Sequence, residues 1–323
     1  MLLIYFAAKA FILKKVIAFF RLVRWPNLIF IAITQLLFMY CVMQPLLAAA
    51  GRRPSLNPLH FFLLILSSVL IAAAGYIIND YFDLNIDRIN KPERLIIQKI
   101  IKRRSAIAWH LVLSFIGVAI GFYLDFSTHV TLLGLSNLIC VLLLFVYSIS
   151  LKKKLLSGNI IISVLTAWTV LVVTWCEARF FLFNPGDANI HKIIRVTFLY
   201  TGFAFIISLI REAVKDMEDV EGDMRYGCKT MPIVWGFNAA KIYLAVWFIV
   251  LVLALIVVMI YMLQLRWWFA IAYSFVLIIL PLINIFQKLF KASTPQDFHK
   301  LSTMVKLVMF TGILSMIFFK IYA

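Results

Sequence analysis

Long uninterrupted apolar runs separated by short polar stretches dominate the chain. Nine of these runs, 27–46, 59–78, 105–124, 130–150, 159–175, 193–209, 239–262, 267–289 and 301–322, approach the ~20 residues that a helix needs to cross a hydrocarbon core. Inside lipid every backbone N–H and C=O must be satisfied within its own segment, so the runs are read as helices and not strands. The pattern predicts an all-α fold, a polytopic transmembrane helical bundle of about nine spans, with 1–323 forming one domain. Ahead of the first run, Lys9, Lys14 and Lys15 follow a short apolar stretch, and no small-residue cleavage site comes after them. Residues 1–24 are therefore read as an uncleaved, interfacial amphipathic segment.

Composition strengthens this reading. Apolar residues make up 64% of the chain and charged residues 14%, with a mean hydropathy of +1.01. A soluble domain is about half apolar and about a quarter charged, so the bilayer must act as solvent for much of the surface. The net charge of +17 has the look of a nucleic-acid binder, but its placement points to topology instead. If the N-terminus is cytoplasmic and the spans alternate, 24 of the 31 Lys and Arg fall on the cytoplasmic side and 7 on the other. That is the positive-inside bias. It suits membrane lipids with anionic headgroups and phosphorylated substrates, and no nucleic-acid partner is expected. The four cysteines, Cys41, Cys140, Cys176 and Cys228, are scattered, which speaks against a disulfide framework or a zinc site.

The acids carry the chemistry. Ten of the 14 Asp and Glu lie in two patches: Asp80, Asp83, Asp87 and Glu93, then Glu212, Asp216, Glu218, Asp219, Glu221 and Asp223. Each patch sits where an apolar run ends, on the same predicted side. In both, aspartates recur at offsets of three and then four residues, which on a continuous helix places three carboxylates on one face. Such crowding is unfavourable without cations. Oxygen-only donors suit hard divalent ions, and magnesium is usually shared between a few carboxylates and a substrate phosphate. Two such sets on one face could hold a pyrophosphate between metal ions. The bland alternative is a pair of solvated helix ends balanced by nearby lysines.

The pattern N-D-x-x-D-x-x-x-D from Asn79 to Asp87, with D-x-x-D-x-x-x-D from Asp216 to Asp223, resembles the UbiA superfamily of intramembrane prenyltransferases. The stretch Asn90-Lys91-Pro92-Glu93-Arg94 is similar to that family's continuation of the first motif. Gly222, Gly227, Thr230-Met231-Pro232 and Gly236 are similar to its continuation of the second. Tyr147, Lys152, Gly158 and Asn159 resemble the family's loop between spans four and five, and Arg24 and Asn27 match before the first span. The resemblance implies a polyprenyl pyrophosphate donor held by Mg2+ on Asp80, Asp83, Asp87, Asp216, Asp219 and Asp223, near the cytoplasmic face. Asn79 would ligate or hydrogen-bond there. Arg88, Arg94, Lys152 and Lys215 would add positive potential for the leaving pyrophosphate. Tyr147 and Asn27 are further candidates for substrate contact, with Tyr76 and Tyr81 as possible aromatic walls for an allylic cation.

Within the superfamily, the segment 211–223 is most similar to enzymes that prenylate geranylgeranylglyceryl phosphate in ether-lipid synthesis. A hydrophobic or phosphorylated lipid acceptor is therefore expected. An aromatic quinone precursor such as hydroxybenzoate, homogentisate or dihydroxynaphthoate is the alternative. A cation transporter is the alternative of another class, because ionisable groups in spans mark ion pathways. Here the acids cluster at span ends instead, and the D-G-x-x-A-R signature of CDP-alcohol phosphotransferases is missing.

Overall fold

The computed structural model describes residues 13–90, 92–184 and 186–322. Helix α1 covers 13–22, so residues 1–12 of the expected interfacial segment lie outside the described residues. There follow α2 (Trp25–Ala49), α3 (Pro58–Phe82), α4 (Leu84–Asn90), α5 (Arg103–Thr128), α6 (Leu133–Ile149), α7 (Ser157–Trp175) and α8 (Ala178–Phe183). The chain continues as α9 (Ala188–Glu218), α10 (Val220–Arg225), α11 (Met231–Gln264), α12 (Trp268–Lys291), α13 (Pro295–Leu314) and α14 (Ile317–Tyr322). Regular structure among the described residues is helical apart from one isolated bridge between Ile97 and Ile101.

Eight of the predicted spans are helices long and apolar enough to cross a membrane. The remaining one, 130–150, is the 17-residue helix α6, short for a span but within the usual range of about 17–25 residues. Lipid as solvent is written into the burial pattern. Only 11% of the most apolar window of α11 is covered by protein, against 56% for α3. An apolar helix that bare is stable only in a bilayer. The protein is an integral, multi-pass membrane protein.

Contacts divide the described residues into two compact units: the residues up to Ala32 with Asn57–Leu151, and Ile33–Leu56 with the residues from Lys152 onward. In the first unit α3 packs on α5 and α6. A Cβ on Gly121 would lie only 2.9 Å from Gly134 Cα, so α5 and α6 touch through backbone, the usual device where lipid leaves no hydrophobic drive between helices. Asn137 Nδ2 donates to Ser67 Oγ (2.8 Å) and to the Gly117 carbonyl (3.2 Å), a buried polar clasp beside that contact. Leu22, Val23, Ala74, Ile77, Leu84 and Ala106 seal the motif end of the unit.

In the second unit α9 packs on α7, α11 and α13 around Ile210, Val214, Leu244, Phe248, Leu282 and Val305. Two spans contain a π-helical turn, at Phe38–Met43 and Phe275–Ile279. The second frees a carbonyl that Thr311 uses: its Oγ1 donates to Leu277 O at 2.9 Å, consistent with how such turns are tolerated in lipid. Helix α11 is bent near its start by Gly236, whose φ of 81° disfavours any side chain.

Candidate functional site

Both aspartate motifs begin inside a helix that outruns its predicted span. The apolar runs end at 78 and 209, yet α3 reaches Phe82 and α9 reaches Glu218. Residues 210–218 contain no Gly or Pro, so nothing stops the helix where hydrophobicity stops. The single carboxylate-bearing face expected from the spacing is not one continuous helix. In each motif the middle aspartate ends the long helix, and a short helix restarts at the next residue. Asp83 has φ −85° and ψ −2°, and Asp219 has φ −96° and ψ 6°. The local bonding also matches. Asp83 N donates to Asn79 O and Asp87 N to Asp83 O, while Asp219 N donates to Lys215 O and Asp223 N to Asp219 O. Equal spacing in sequence thus becomes an equal helix–bend–helix turn, once in each unit.

In the first unit, Asp80 Oδ1 accepts from Arg24 Nη2 at 2.7 Å, and Asp83 Oδ2 accepts from Asn79 Nδ2 at 2.8 Å. Arg24 occupies the junction of α1 and α2 with a φ of 52°, and its guanidinium lies over the Tyr76 ring. Burial works against charge on Arg24, but Asp80, Tyr76 and Asp87 outweigh it and hold the guanidinium above its ordinary value. Arg88 is turned to Gln98, with Nη2 to Oε1 at 2.7 Å. The side chain of Arg94, like Lys91, lies outside the described residues. Asn27 is the third residue of α2, and Tyr147 lies near the end of α6, half-buried.

In the second unit, Asp216 Oδ2 accepts from Asn159 Nδ2 at 2.8 Å. Lys215 is drawn to Glu212 (3.2 Å), which also pairs with Arg211 at 2.7 Å. Lys152 lies in the turn Leu151–Lys153, and the carbonyl of Lys153 accepts from Lys229 N at 2.7 Å. That bond ties the loop before α7 to the strip following the second motif. Sequence reasoning gave neither the Arg24–Asp80 pair nor the Asn159–Asp216 bond. Both residues stand in stretches singled out by pattern, but 56 and 57 residues separate the partners.

Among the described residues, no group of three or more His, Cys, Asp or Glu side chains is gathered as a ready-made cage for a metal. The donor chemistry nevertheless fits a hard cation. Each motif offers carboxylate oxygen at a helix end, with at least one of its aspartates held by a neighbouring N–H donor.

A model of the UbiA prenyltransferase family matches residues 36–311, which include both motifs. The chain belongs to the UbiA prenyltransferase family. It is therefore an enzyme that transfers prenyl groups, and the cation-transporter alternative falls away. The chain is 30% identical over 298 residues to digeranylgeranylglyceryl phosphate synthase of Sulfurisphaera tokodaii, covering 91% of this chain and 96% of that one. The synthase of the same description from Methanosphaera stadtmanae is 29% identical over 257 residues, 78% of this chain and 86% of the relative. In fold, a UbiA homolog from Archaeoglobus fulgidus, solved bound to DMAPP and Mg2+, superposes with a TM-score of 0.57 at 15% identity, over 92% of this chain and 98% of that one.

Proposed function

We propose that this UbiA-family enzyme transfers a polyprenyl group from an allylic pyrophosphate to the glycerol hydroxyl of geranylgeranylglyceryl phosphate. The observation that carries the acceptor is the nearly full-length similarity to a digeranylgeranylglyceryl phosphate synthase. Asp80, Asp83 and Asp87 in the first motif, and Asp216, Asp219 and Asp223 in the second, would each hold magnesium, which would supply charge neutralisation for a departing pyrophosphate. In the transfer, the allylic C–O bond breaks and its electron pair leaves with pyrophosphate. The glycerol oxygen then bonds to the allylic carbon and passes its proton to the departing pyrophosphate or to a carboxylate of the aspartate motifs. Arg24 and Asn159 hold carboxylates in place. Lys152, Lys215, Arg88 and Arg94 supply positive potential where anionic groups bind, and Asn27, Asn79 and Tyr147 contribute substrate contacts. Apolar spans keep water from the allylic centre. The cation-rich side, on which both motifs fall by alternation of spans, is the cytoplasmic one. The whole chain serves as one catalytic domain, since the family match runs through both units without a break.

Purified protein incubated with labelled geranylgeranyl pyrophosphate, Mg2+ and a panel of acceptors tests this reading. The expected product is the diether lipid phosphate. Turnover should vanish with chelator and should fall by at least ~100-fold in Asp83→Asn and in Asp219→Asn, the scale expected when charge stabilisation is removed from a leaving group. Preferred prenylation of 4-hydroxybenzoate, homogentisate or dihydroxynaphthoate would move the acceptor to the aromatic class and leave the family assignment standing.

A further inference from the structure

We infer that Asn159 is a positioning residue for metal binding: its amide fixes the carboxylate of Asp216 so that Oδ1 is presented to a cation. This rests on the proposed role of Asp216 as a magnesium ligand. Asn159 is the third residue of α7 and is buried, 6% exposed. Its Nδ2 reaches Asp216 Oδ2 at 2.8 Å across the α7–α9 contact. Its own place is fixed twice. Ser163 Oγ donates to its carbonyl at 2.7 Å, and the loop before it, which turns through Leu156 at φ 55°, is pinned by the Lys153–Lys229 backbone bond.

The chemistry of the donor matters. Asp80, the matching aspartate of the first motif, is held by a guanidinium, which offsets the charge it offers a cation. Asp216 is held by a neutral amide, which orients the carboxylate without placing a positive charge beside it. A side chain that fixes a ligand without touching the metal sets how tightly the metal binds. Replacing such a partner typically weakens metal affinity by about 10- to 100-fold.

The test is Mg2+ titration of the detergent-solubilised full chain in the presence of inorganic pyrophosphate, read as the rise in Tm that binding produces. It is run alongside the Mg2+ dependence of turnover. In Asn159→Ala the Mg2+ concentration at half-effect should rise about tenfold or more by both readouts, while kcat at saturating Mg2+ falls far less. In an Asp216→Asn background, adding Asn159→Ala should shift the midpoint no further, because two residues that act through one contact are not additive. Asn159→Ser, which keeps the helix start polar but cannot reach Asp216, should reproduce the shift if the alanine variant does not fold. An unchanged Mg2+ midpoint with a lowered Mg2+-free Tm would show a purely structural contact and overturn the inference. So would a further shift in the Asp216→Asn background. A wild-type chain whose Tm does not respond to Mg2+ and pyrophosphate would overturn the reading of the second motif itself.

Discussion

At the scale of single residues, some buried polar groups in this protein are fixed by partners far away in the chain. Glu177, between α7 and α8, is 2% exposed. Its two oxygens accept from Ser55 N at 2.7 Å and Ser55 Oγ at 2.6 Å. Burial pushes this carboxyl above its ordinary value, and the two Ser55 bonds pull it partway back. A carboxyl raised in the folded state contributes stability that is present below its unfolded value and is lost as pH rises through the folded one. Ser55→Ala removes one of the bonds that favour the charged form, and so raises the folded value further. The variant should be nearly as stable as wild type at about pH 4 and less stable by about 1.5–3 kcal/mol at about pH 7.5, the range for a hydrogen bond to a charged group. Thermal unfolding of both proteins across that range measures it. A gap that narrows with rising pH would contradict the assignment.

At the scale of elements, one helix pair meets through backbone while a face of another helix stands open, and glycine separates the two cases. On α5, a Cβ at Gly121 would come within 2.9 Å of Gly134 Cα, where no flexible side chain can yield. On α9, a Cβ at Gly202 would meet nothing within 4 Å. Gly121→Ala should therefore destabilise by about 1–3 kcal/mol through overpacking. Gly202→Ala should raise Tm, gaining about 0.5–1 kcal/mol of helix propensity. Equal effects at the two sites, in scanning calorimetry or intrinsic fluorescence, would refute the α5–α6 contact. The bends at Asp83 and Asp219 belong to this scale too, because the same three-then-four spacing takes the same turn in each unit.

At the scale of the whole molecule, the bilayer organises both the surface and the charge. Apolar side chains such as Phe115, Phe126 and Val257 stand exposed because lipid, not water, covers them. If the cationic loops are retained on the cytoplasmic side, as proposed, Lys154 in the loop before α7 and Arg179 at the start of α8 should fall on opposite sides of the membrane. In a chain whose four cysteines are replaced by alanine, Lys154→Cys should react with an impermeant maleimide only from the cytoplasmic face. Arg179→Cys should react only from the other. Labelling of both from one face would overturn the topology and, with it, the cytoplasmic placement of the two motifs.

The sequence by itself determined the membrane class, nearly all of the spans, the two aspartate motifs and the family. These features are written in local, one-dimensional quantities: runs of apolar residues, the sign of charge in loops, and acids at fixed offsets. The structure, and not the apolar pattern, showed where the long helices end. Hydrophobicity stops at 78 and 209, but backbone hydrogen bonding carries the helices on to Phe82 and Glu218. Tertiary structure alone decided which donor serves which carboxylate. Arg24 with Asp80, Asn159 with Asp216 and Ser55 with Glu177 are pairs separated by 56, 57 and 122 residues. No periodicity connects such positions. They meet because helix packing brings them together, and because a buried charge that lacked a partner would be too costly to keep.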